Sequence, residues 1–568
     1  MKVLVATYPY AGHFNPTQPV VQELVKRGHN VVWMTGPAYE ARVRQTGARF
    51  VSMSDEALID DDNIHKMEGK VTLAKVAAYL QRLFLDRIPA QVRDYEGVAA
   101  ATEDAFVPDV LVVDFCTYAA RCYMDRTGIP YATLGINPLV TLDPEIPPWG
   151  SGEQPPRSTV GRLRNRVRHA LGIVFFISRL SRALNKQRQT LGLPPRSRWR
   201  SYADDVRSPD LHLMMTTPAF EFPRKKMLRS VVFIGPLLPS WLEEGTTKKN
   251  DEATSGTSAD AVGAAESAAT SAVDNVVETT ETAADTTAET EAAPDINATP
   301  LWWDEMLAHP RQKVVHLTQG TISINTDLLV KPTVEALADR NDLLVVITGK
   351  NVDAMFRDES VPSNSAAAEA TAEATAETIA EATADANAET TSEGTFVQDM
   401  RMVRPANVRT AAFVPHLRLL PHVGVMVTNA GYNGVLAALS CGVPLVCAGR
   451  TEDKADVSSR VAWSGAGIDL ATNAPTAAAV RAAVLQIVDG GNSGNPLHPP
   501  GHDYRAAAAR IRDDFARHNA PAEAVDALEA LVKKKAEERA VEVAIEEGTS
   551  RRKKLQPKPI RDSMLEDD

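Results

Sequence analysis

Two residues that close apolar runs have the chemistry of a general base and its partner. His13 lies in Tyr8-Pro9-Tyr10-Ala11-Gly12-His13-Phe14-Asn15-Pro16, just after the run Val3-Leu4-Val5-Ala6. Imidazole titrates near neutral pH, so a histidine at this point can take a proton from a substrate hydroxyl. Asp114 ends the run Val110-Leu111-Val112-Val113. A carboxylate beside His13 would fix its tautomer and stabilise the imidazolium. Each has a plainer reading: His13 as a loop histidine in a structural hydrogen bond, Asp114 as a helix N-cap. A third feature lies in the second half, at Val427-Thr428-Asn429-Ala430-Gly431-Tyr432-Asn433-Gly434. A strand here closes in a small-residue turn that opens a helix near Asn433. Backbone N–H groups at such a start attract an anion such as a pyrophosphate. The alternative is a plain strand–helix turn. The first run is followed by Gly12 alone and not by G-x-G-x-x-G, which argues against a dinucleotide site.

The elements that must carry these residues follow from hydrophobic patterning. Val3–Ala6 reads as a buried strand, Pro16–Arg27 as a helix with Pro16 in its first turn and Gly28 after its end, and Val31–Met34 as the next strand. His13 then precedes the helix. Strand, helix, strand in so short a span is a βαβ unit and implies a parallel sheet. Further strands are expected at Val110–Val113, Leu211–Met215 and Val231–Ile234. The pattern repeats at Val314–Leu317 (strand), Leu328–Leu337 (helix), Leu343–Ile347 (strand), Val423–Val427 (strand), Val435–Ser440 (helix) and Val443–Ala448 (strand). Two α/β halves are predicted, and ligands of open α/β sheets bind at the carboxyl ends of the strands.

The charge is uneven. The 568 residues sum to −12, but residues 251–298 hold 11 Asp/Glu and residues 361–395 hold 7, neither with any Lys or Arg. Both stretches are Ala/Thr/Glu-rich and too poor in apolar side chains to offset ordering entropy, so they read as disordered inserts. The other 485 residues carry +6, which excludes reading the protein as a polyacidic partner for cations or basic proteins. Four cysteines exclude a disulfide scaffold, and their spacings fit no common zinc pattern. Nothing after the first strand reads as a signal cleavage site, and no run of 18 apolar residues is present, so the expected compartment is the cytoplasm. Asp60-Asp61-Asp62 contains a D-x-D, but in a polar loop far from the second-half features. No metal site is expected, and no nucleic-acid partner. His316, inside an apolar strand, reads as a satisfied core residue.

With these motifs in hand, the chain resembles the family-1 nucleotide-sugar glycosyltransferases of GT-B fold, closest to their bacterial antibiotic and fungal glycolipid branches. Gly12-His13-Phe14-Asn15-Pro16 is similar to G-H-x-x-P, and Ile234-Gly235-Pro236-Leu237 to the entry of the interdomain linker. Thr318-Gln319-Gly320-Thr321 is similar to the S-x-G-T donor loop, and Asn407-Val408-Arg409 through Phe413-Val414-Pro415-His416 to N-V-R…F-V-P-Q. Residues 427–444 are similar to V-T-H-G-G-x-N-S…E-A…G-V-P. The resemblance implies two Rossmann-like domains facing across a cleft. Residues 1–242 would bind acceptor, 243–299 would be a low-complexity linker insert, 300–532 (with the 361–395 insert) would bind nucleotide sugar, and 533–568 would be a charged tail.

The implied reaction is an inverting, metal-independent transfer of a hexose from a UDP-sugar, UDP-glucose first, with no further cofactor. His13, oriented by Asp114, would be the base. Phe413 would stack on the nucleobase and Val414 would pair with it through its backbone. Asn433 and the amide of Gly434 would hold the pyrophosphate, and Asp453 the sugar hydroxyls. Thr321, His416, Asn429, Gly431 and Lys454 complete the implied donor set. Asn429 replaces the family's histidine, Gly434 its serine and Lys454 its glutamine, while Ala437 stands where a glutamate usually holds the ribose. The implied acceptor is small and lipophilic, a hydroxy fatty acid on the way to a glycolipid, with a sterol, polyketide or sugar alcohol as alternatives. A degenerate sugar-nucleotide-binding protein and a GT-B epimerase are the competing classes. Residues 161–200 hold 11 Lys/Arg and no acid around the apolar run Leu171–Ile177. That segment either lines the acceptor pocket or rests peripherally on an anionic membrane.

Overall fold

The computed structural model describes residues 1–58, 72–100, 106–238, 299–320, 325–350, 352–357, 402–490 and 501–555. Both acidic inserts, the D-x-D at Asp60-Asp61-Asp62 and the donor-loop residue Thr321 lie outside the described residues.

The first half is a seven-stranded sheet: β1 (Lys2–Ala6), β2 (Asn30–Thr35), β3 (Arg49–Ser52), β4 (Val110–Asp114), β5 (Tyr131–Gly135), β6 (Leu211–Met214) and β7 (Val231–Phe233). Its order is β3-β2-β1-β4-β5-β6-β7 and the pairings are parallel. The apolar runs are continuous because both faces are covered. Val3, Val5, Val110 and Val112 pack into one core, Leu4, Ala6, Leu111 and Val113 into another. The second half holds β8 (Val314–Thr318), β9 (Leu344–Thr348), a short pair β10 (Phe356–Arg357) and β11 (Met402–Val403), then β12 (Val408–Ala411), β13 (Val425–Thr428), β14 (Leu445–Cys447) and β15 (Gly467–Asp469). Six of these form a parallel sheet in the order β12-β9-β8-β13-β14-β15. In each sheet the strand order reverses beside the first strand, between β1 and β4 and between β8 and β13. These are the switch points at which crevices open.

Helices relevant to the site are α1 (Ala11–Lys26), α2 (Leu73–Leu80), α3 (Thr159–Gly172), α4 (Ser178–Thr190), α5 (Tyr432–Ser440), α6 (Lys454–Ser464) and α7 (Ala520–Leu555). Two expectations need correction. Helix α1 begins at Ala11, so His13 is its third residue, and Pro16 lies inside it. Tyr10 is extended, and its carbonyl accepts from the N–H groups of His13 and Phe14, which starts the helix a turn early. The second correction concerns the C-terminus. Helix α7 runs unbroken past residue 533 and docks back on the first half. Ala524, Val525, Leu528 and Leu531 pack in the same core as Val20 and Leu24, Arg27 pairs with Asp526 at 2.6 Å, and Lys535 pairs with Asp210 at 3.0 Å. Arg539 donates to the Gly128 carbonyl. The Lys/Glu composition that reads as a free tail is that of a helix whose cations find carboxylates and carbonyls on another domain.

A buried ion cluster also joins the halves. Arg460 on α6 donates through Nε to Glu221 at 2.7 Å, Arg224 lies 3.2 Å from the same oxygen, and the Arg460 guanidinium sits 4.2 Å from the Phe222 ring centroid. Asp456 accepts from the N–H groups of Gly150 (2.6 Å) and Gly152 (3.1 Å).

Candidate active site

The first turn of α1 and the end of β4 bring His13 and Asp114 together. His13 Nδ1 lies 3.0 Å from Asp114 Oδ2. The same oxygen accepts from the Tyr8 N–H at 2.9 Å, and Oδ1 accepts from the Thr117 hydroxyl at 2.5 Å. Asp114 is wholly buried and His13 about a quarter exposed. Three donors fix the carboxylate. With Nδ1–H turned to Asp114, Nε2 is left with its lone pair, the form a general base requires. Asp114 is not an N-cap: the following helix, Ala119–Thr127, starts after Tyr118 with no side-chain cap.

An aromatic wall stands beside the base, and sequence reasoning missed it. Tyr8 and Tyr10 meet the His13 ring edge-on at centroid distances of 5.7 and 6.1 Å, and Phe84 meets Tyr8 at 5.7 Å. Tyr79 and Leu83 complete the cluster. Gln91 donates to the Tyr8 hydroxyl at 3.3 Å. Burial first, and then the charge of Glu452 from the other half, raise the Tyr79 phenol above its ordinary pKa. The aromatic positions 79 and 84 were visible as types. Only the folded chain shows that they pack with Tyr8, the ring that meets His13.

Across the cleft, β13 ends in Asn429-Ala430-Gly431 and α5 follows. Gly431 is the N-cap and no side chain caps the first turn. The early amides of α5, at Tyr432, Asn433 and Gly434, are therefore without a side-chain acceptor, as an anion site requires. Asn433 Nδ2 donates to the Gly12 carbonyl at 3.1 Å, so this helix start touches the residue before His13. Among the described residues four non-glycines have positive φ: Cys116 (70°), Ala430 (65°), Glu452 (51°) and Ala471 (54°). Three of them neighbour Asp114, Asn429 and Asp453, and left-handed backbone at a non-glycine residue collects where function constrains the chain.

The other residues named from sequence distribute as follows. Phe413 is exposed on the cleft-side loop after β12, as a stacking ring must be, and Val414 is buried. His416 opens a short helix beneath α5; its Cε1 would lie 3.8 Å from a Cβ at Gly434, and burial pushes its pKa down to about 4. His416 is thus a neutral ring, packed edge-on to His316 at 5.4 Å. His316 is only half satisfied. Its Nε2 meets the Thr348 hydroxyl at 3.0 Å, while Nδ1 is buried without a partner. Asn429 is buried and donates to the Gln319 carbonyl, tying the loop after β13 to the loop after β8. Asp453 precedes α6, and burial raises its carboxyl to about 6, with Lys454 opposing. Lys454 Nζ is engaged with Glu452 and with Thr451 Oγ1 at 3.2 Å. Ala437, where the family's glutamate would hold the ribose, is 6% exposed and packed in the apolar core. Among the described residues no group of His, Cys, Asp and Glu is arranged to hold a metal ion, and no helix is long and apolar enough to cross a membrane.

Known proteins share this two-sheet fold. Residues 378–531 match the family model of the erythromycin biosynthesis protein CIII-like C-terminal domain. The chain is 32% identical over 535 residues to 4'-demethylrebeccamycin synthase of Lentzea aerocolonigenes, covering 94% of this chain and 99% of that protein. It is 27% identical to UDP-glycosyltransferase 2 of Phaeomoniella chlamydospora, covering 93% and 94%. Among solved structures, the kitacinnamycin glycosyltransferase superposes with a TM-score of 0.54 at 19% identity, over 93% of this chain and 98% of that one.

Proposed function

The chain belongs to the family-1 nucleotide-sugar glycosyltransferases of GT-B fold, and we propose that it moves a hexose, glucose first, from a UDP-sugar to a hydroxyl of a small lipophilic acceptor. One observation carries this reading: Asn433 on the uncapped first turn of α5 contacts Gly12, next to the His13–Asp114 pair. An anion site and an oriented base thus share one cleft. His13 Nε2 takes the acceptor proton as the acceptor oxygen bonds to the anomeric carbon. The sugar–phosphate bond breaks, and the nucleoside diphosphate leaves with its charge held at the start of α5. Attack opposite the leaving group turns an α-linked donor into a β-glycoside. Phe413 offers its exposed ring to the base, and Asp453 offers its carboxylate to the sugar hydroxyls. The retained His13–Asp114 geometry speaks against the degenerate binding protein.

Two acceptor classes fit. A hydroxy fatty acid is the reading that the glycolipid branch supports. The half-buried rings of Tyr10, Tyr79 and Phe84, packed on Tyr8, favour a second, a flat polycyclic or aromatic alcohol, because aromatic side chains stack on rings more specifically than on alkyl chains. The test is a panel of UDP- and TDP-sugars against hydroxy fatty acids, sterols and polycyclic phenols, read by mass spectrometry. A glucoside from UDP-glucose that is lost in His13→Ala supports the proposal. Donor binding without transfer to any acceptor would return the protein to the binding-only class.

A further inference from the structure

Helices α3 and α4 are joined by a π-helical turn, Ile173–Ile177, into one continuous rod. One face of it points inward. Asn165, His169, Leu180, Leu184 and Arg188 are buried against the first domain. The opposite face is exposed and apolar in its first half: Val160 (77%), Leu163 (59%), Val167 (51%), Leu171 (51%), Val174 (48%) and Phe175 (68%). Such a stripe at helical spacing is ordinarily a core face. Here it looks outward. In the second half Arg179, Arg182 and Lys186 are exposed, as are Gln189 and Thr190 at its end. None of these three cations has an ion-pair partner among the described residues.

The π-turn is what aligns the two halves. It takes up one residue more than an α-turn, which shifts the register by about 100°. The spacing 160, 163, 167, 171, 174 therefore continues on the same outward face at 179, 182 and 186. In an uninterrupted α-helix Arg179 and Arg182 would stand to one side of the stripe. Residues 154–203 contain no Asp or Glu. Arg164 and Arg168 are held by Glu153, and Arg166 lies 3.9 Å from Glu145, so the unneutralised charge is concentrated beyond the π-turn.

We infer that this outward face docks the enzyme on an anionic lipid surface, with the apolar half entering the acyl boundary and Arg179, Arg182 and Lys186 meeting lipid phosphates. A bilayer supplies both halves of the complement at once. A second copy does not. Two such faces packed together would bury the cations against apolar side chains or against one another, with no carboxylate in the segment to neutralise them. The inference does not depend on which sugar or acceptor the active site takes.

The test is co-sedimentation of the full chain with phosphatidylcholine vesicles, with and without phosphatidylglycerol. Binding is expected only to the anionic vesicles, falling with salt. Arg179→Glu/Arg182→Glu should weaken it at least about ten-fold, and Leu171→Glu should abolish it. All three positions are exposed, and an unchanged thermal melt verifies that the variants fold. Absence of binding to anionic vesicles overturns the inference, as does binding that the variants leave intact. Dimerisation in sedimentation equilibrium that Leu171→Glu removes, without vesicle binding, overturns it in favour of a second copy.

Discussion

Asn433 of the second domain donates to the carbonyl of Gly12 in the first, at 3.1 Å, and that carbonyl lacks its ordinary helical partner because Pro16, four residues on, has no N–H. The family-like G-H-x-x-P run therefore leaves an acceptor open beside the base, and the donor-side helix fills it. Loss of this bond should disturb His13 as well as the donor site. Asn433→Ala is expected to lower kcat as well as raise the donor KM. Pro16→Ala supplies a backbone donor for Gly12, so part of the kcat loss should disappear in the double variant. The coupling should be about 0.5–1.5 kcal/mol, the worth of one hydrogen bond. Equal effects of Asn433→Ala in both backgrounds would confine Asn433 to donor binding.

The environment of Asp114 consists of donors only: the Tyr8 N–H, His13 Nδ1 and the Thr117 hydroxyl. Asp114→Asn sets an N–H₂ group against one of them and removes the charge that stabilises the imidazolium. Turnover should fall by about 10²–10⁴, with nucleotide-sugar affinity by calorimetry unchanged. A variant with near-native kcat would remove the pair from the chemistry.

Much of this architecture was legible in sequence because parallel strands buried on both faces are unbroken apolar runs, as at Val3–Ala6 and Val314–Leu317. His13 and Asp114 were legible because they end such runs. Edge strands such as β3 and β12 were not, since β3 opens on Arg49 and Arg409 interrupts β12. The start of α1 was misread because proline is a strong marker for a first turn, and Pro16 is tolerated deeper in the helix. The docked face of α7 was hidden by composition: its cations find their partners only in a distant domain. Nor could the spacing of Tyr79 and Phe84 show which side of the chain they would face. The outward stripe on α3 has the period of a core face, and only exposure reveals that nothing covers it.

Asp453 gives the donor site a pH dependence. Burial raises its carboxyl to about 6. Sugar hydroxyls donate to the ionised form, so affinity for the nucleotide sugar should be full above that value and fall as pH drops through it, about ten-fold per unit below it. Asp453→Asn has no ionisable group at this position and should show no such decline. Titration calorimetry of the native chain and the variant with the nucleotide sugar between pH 5 and 8 checks this. Parallel curves for the two would show that Asp453 does not face the sugar.

Ala437 lies in the apolar core of α5, 6% exposed. Ala437→Glu buries a carboxylate among apolar side chains, which costs several kcal/mol or forces the group to take up a proton. The expected outcome is a lower unfolding temperature and no gain in donor affinity. Tighter binding of a ribose nucleotide than of its 2′-deoxy analogue by the variant would show instead that the ribose reaches position 437.

The Arg460–Glu221 pair sets how firmly the two domains hold each other. Both side chains are nearly inaccessible, Leu139 N–H donates to Glu221 at 3.0 Å, and Arg224 flanks the pair. Burial alone would raise the Glu221 carboxyl. Arg460 and Arg224 outweigh it and hold the carboxyl below its ordinary 4.5. The sign follows from linkage: a depressed carboxyl contributes stability that is complete above 4.5 and is lost as pH falls from there through the folded value. The interdomain contact should therefore be indifferent to pH between 6 and 8 and weaken only in acid. Arg460→Met at neutral pH removes one of two cations from a buried carboxylate, a loss of about 3–5 kcal/mol. It should separate the domains in small-angle scattering and lower kcat more than it lowers affinity for the nucleotide alone, because base and donor sit on opposite domains. Glu221→Gln/Arg224→Met/Arg460→Met together should recover part of the compactness, since no buried charge is then left unpaired. If the single variant is as compact and active as the native chain, the pair contributes nothing to closure and the cleft is held by the α1–α7 contact.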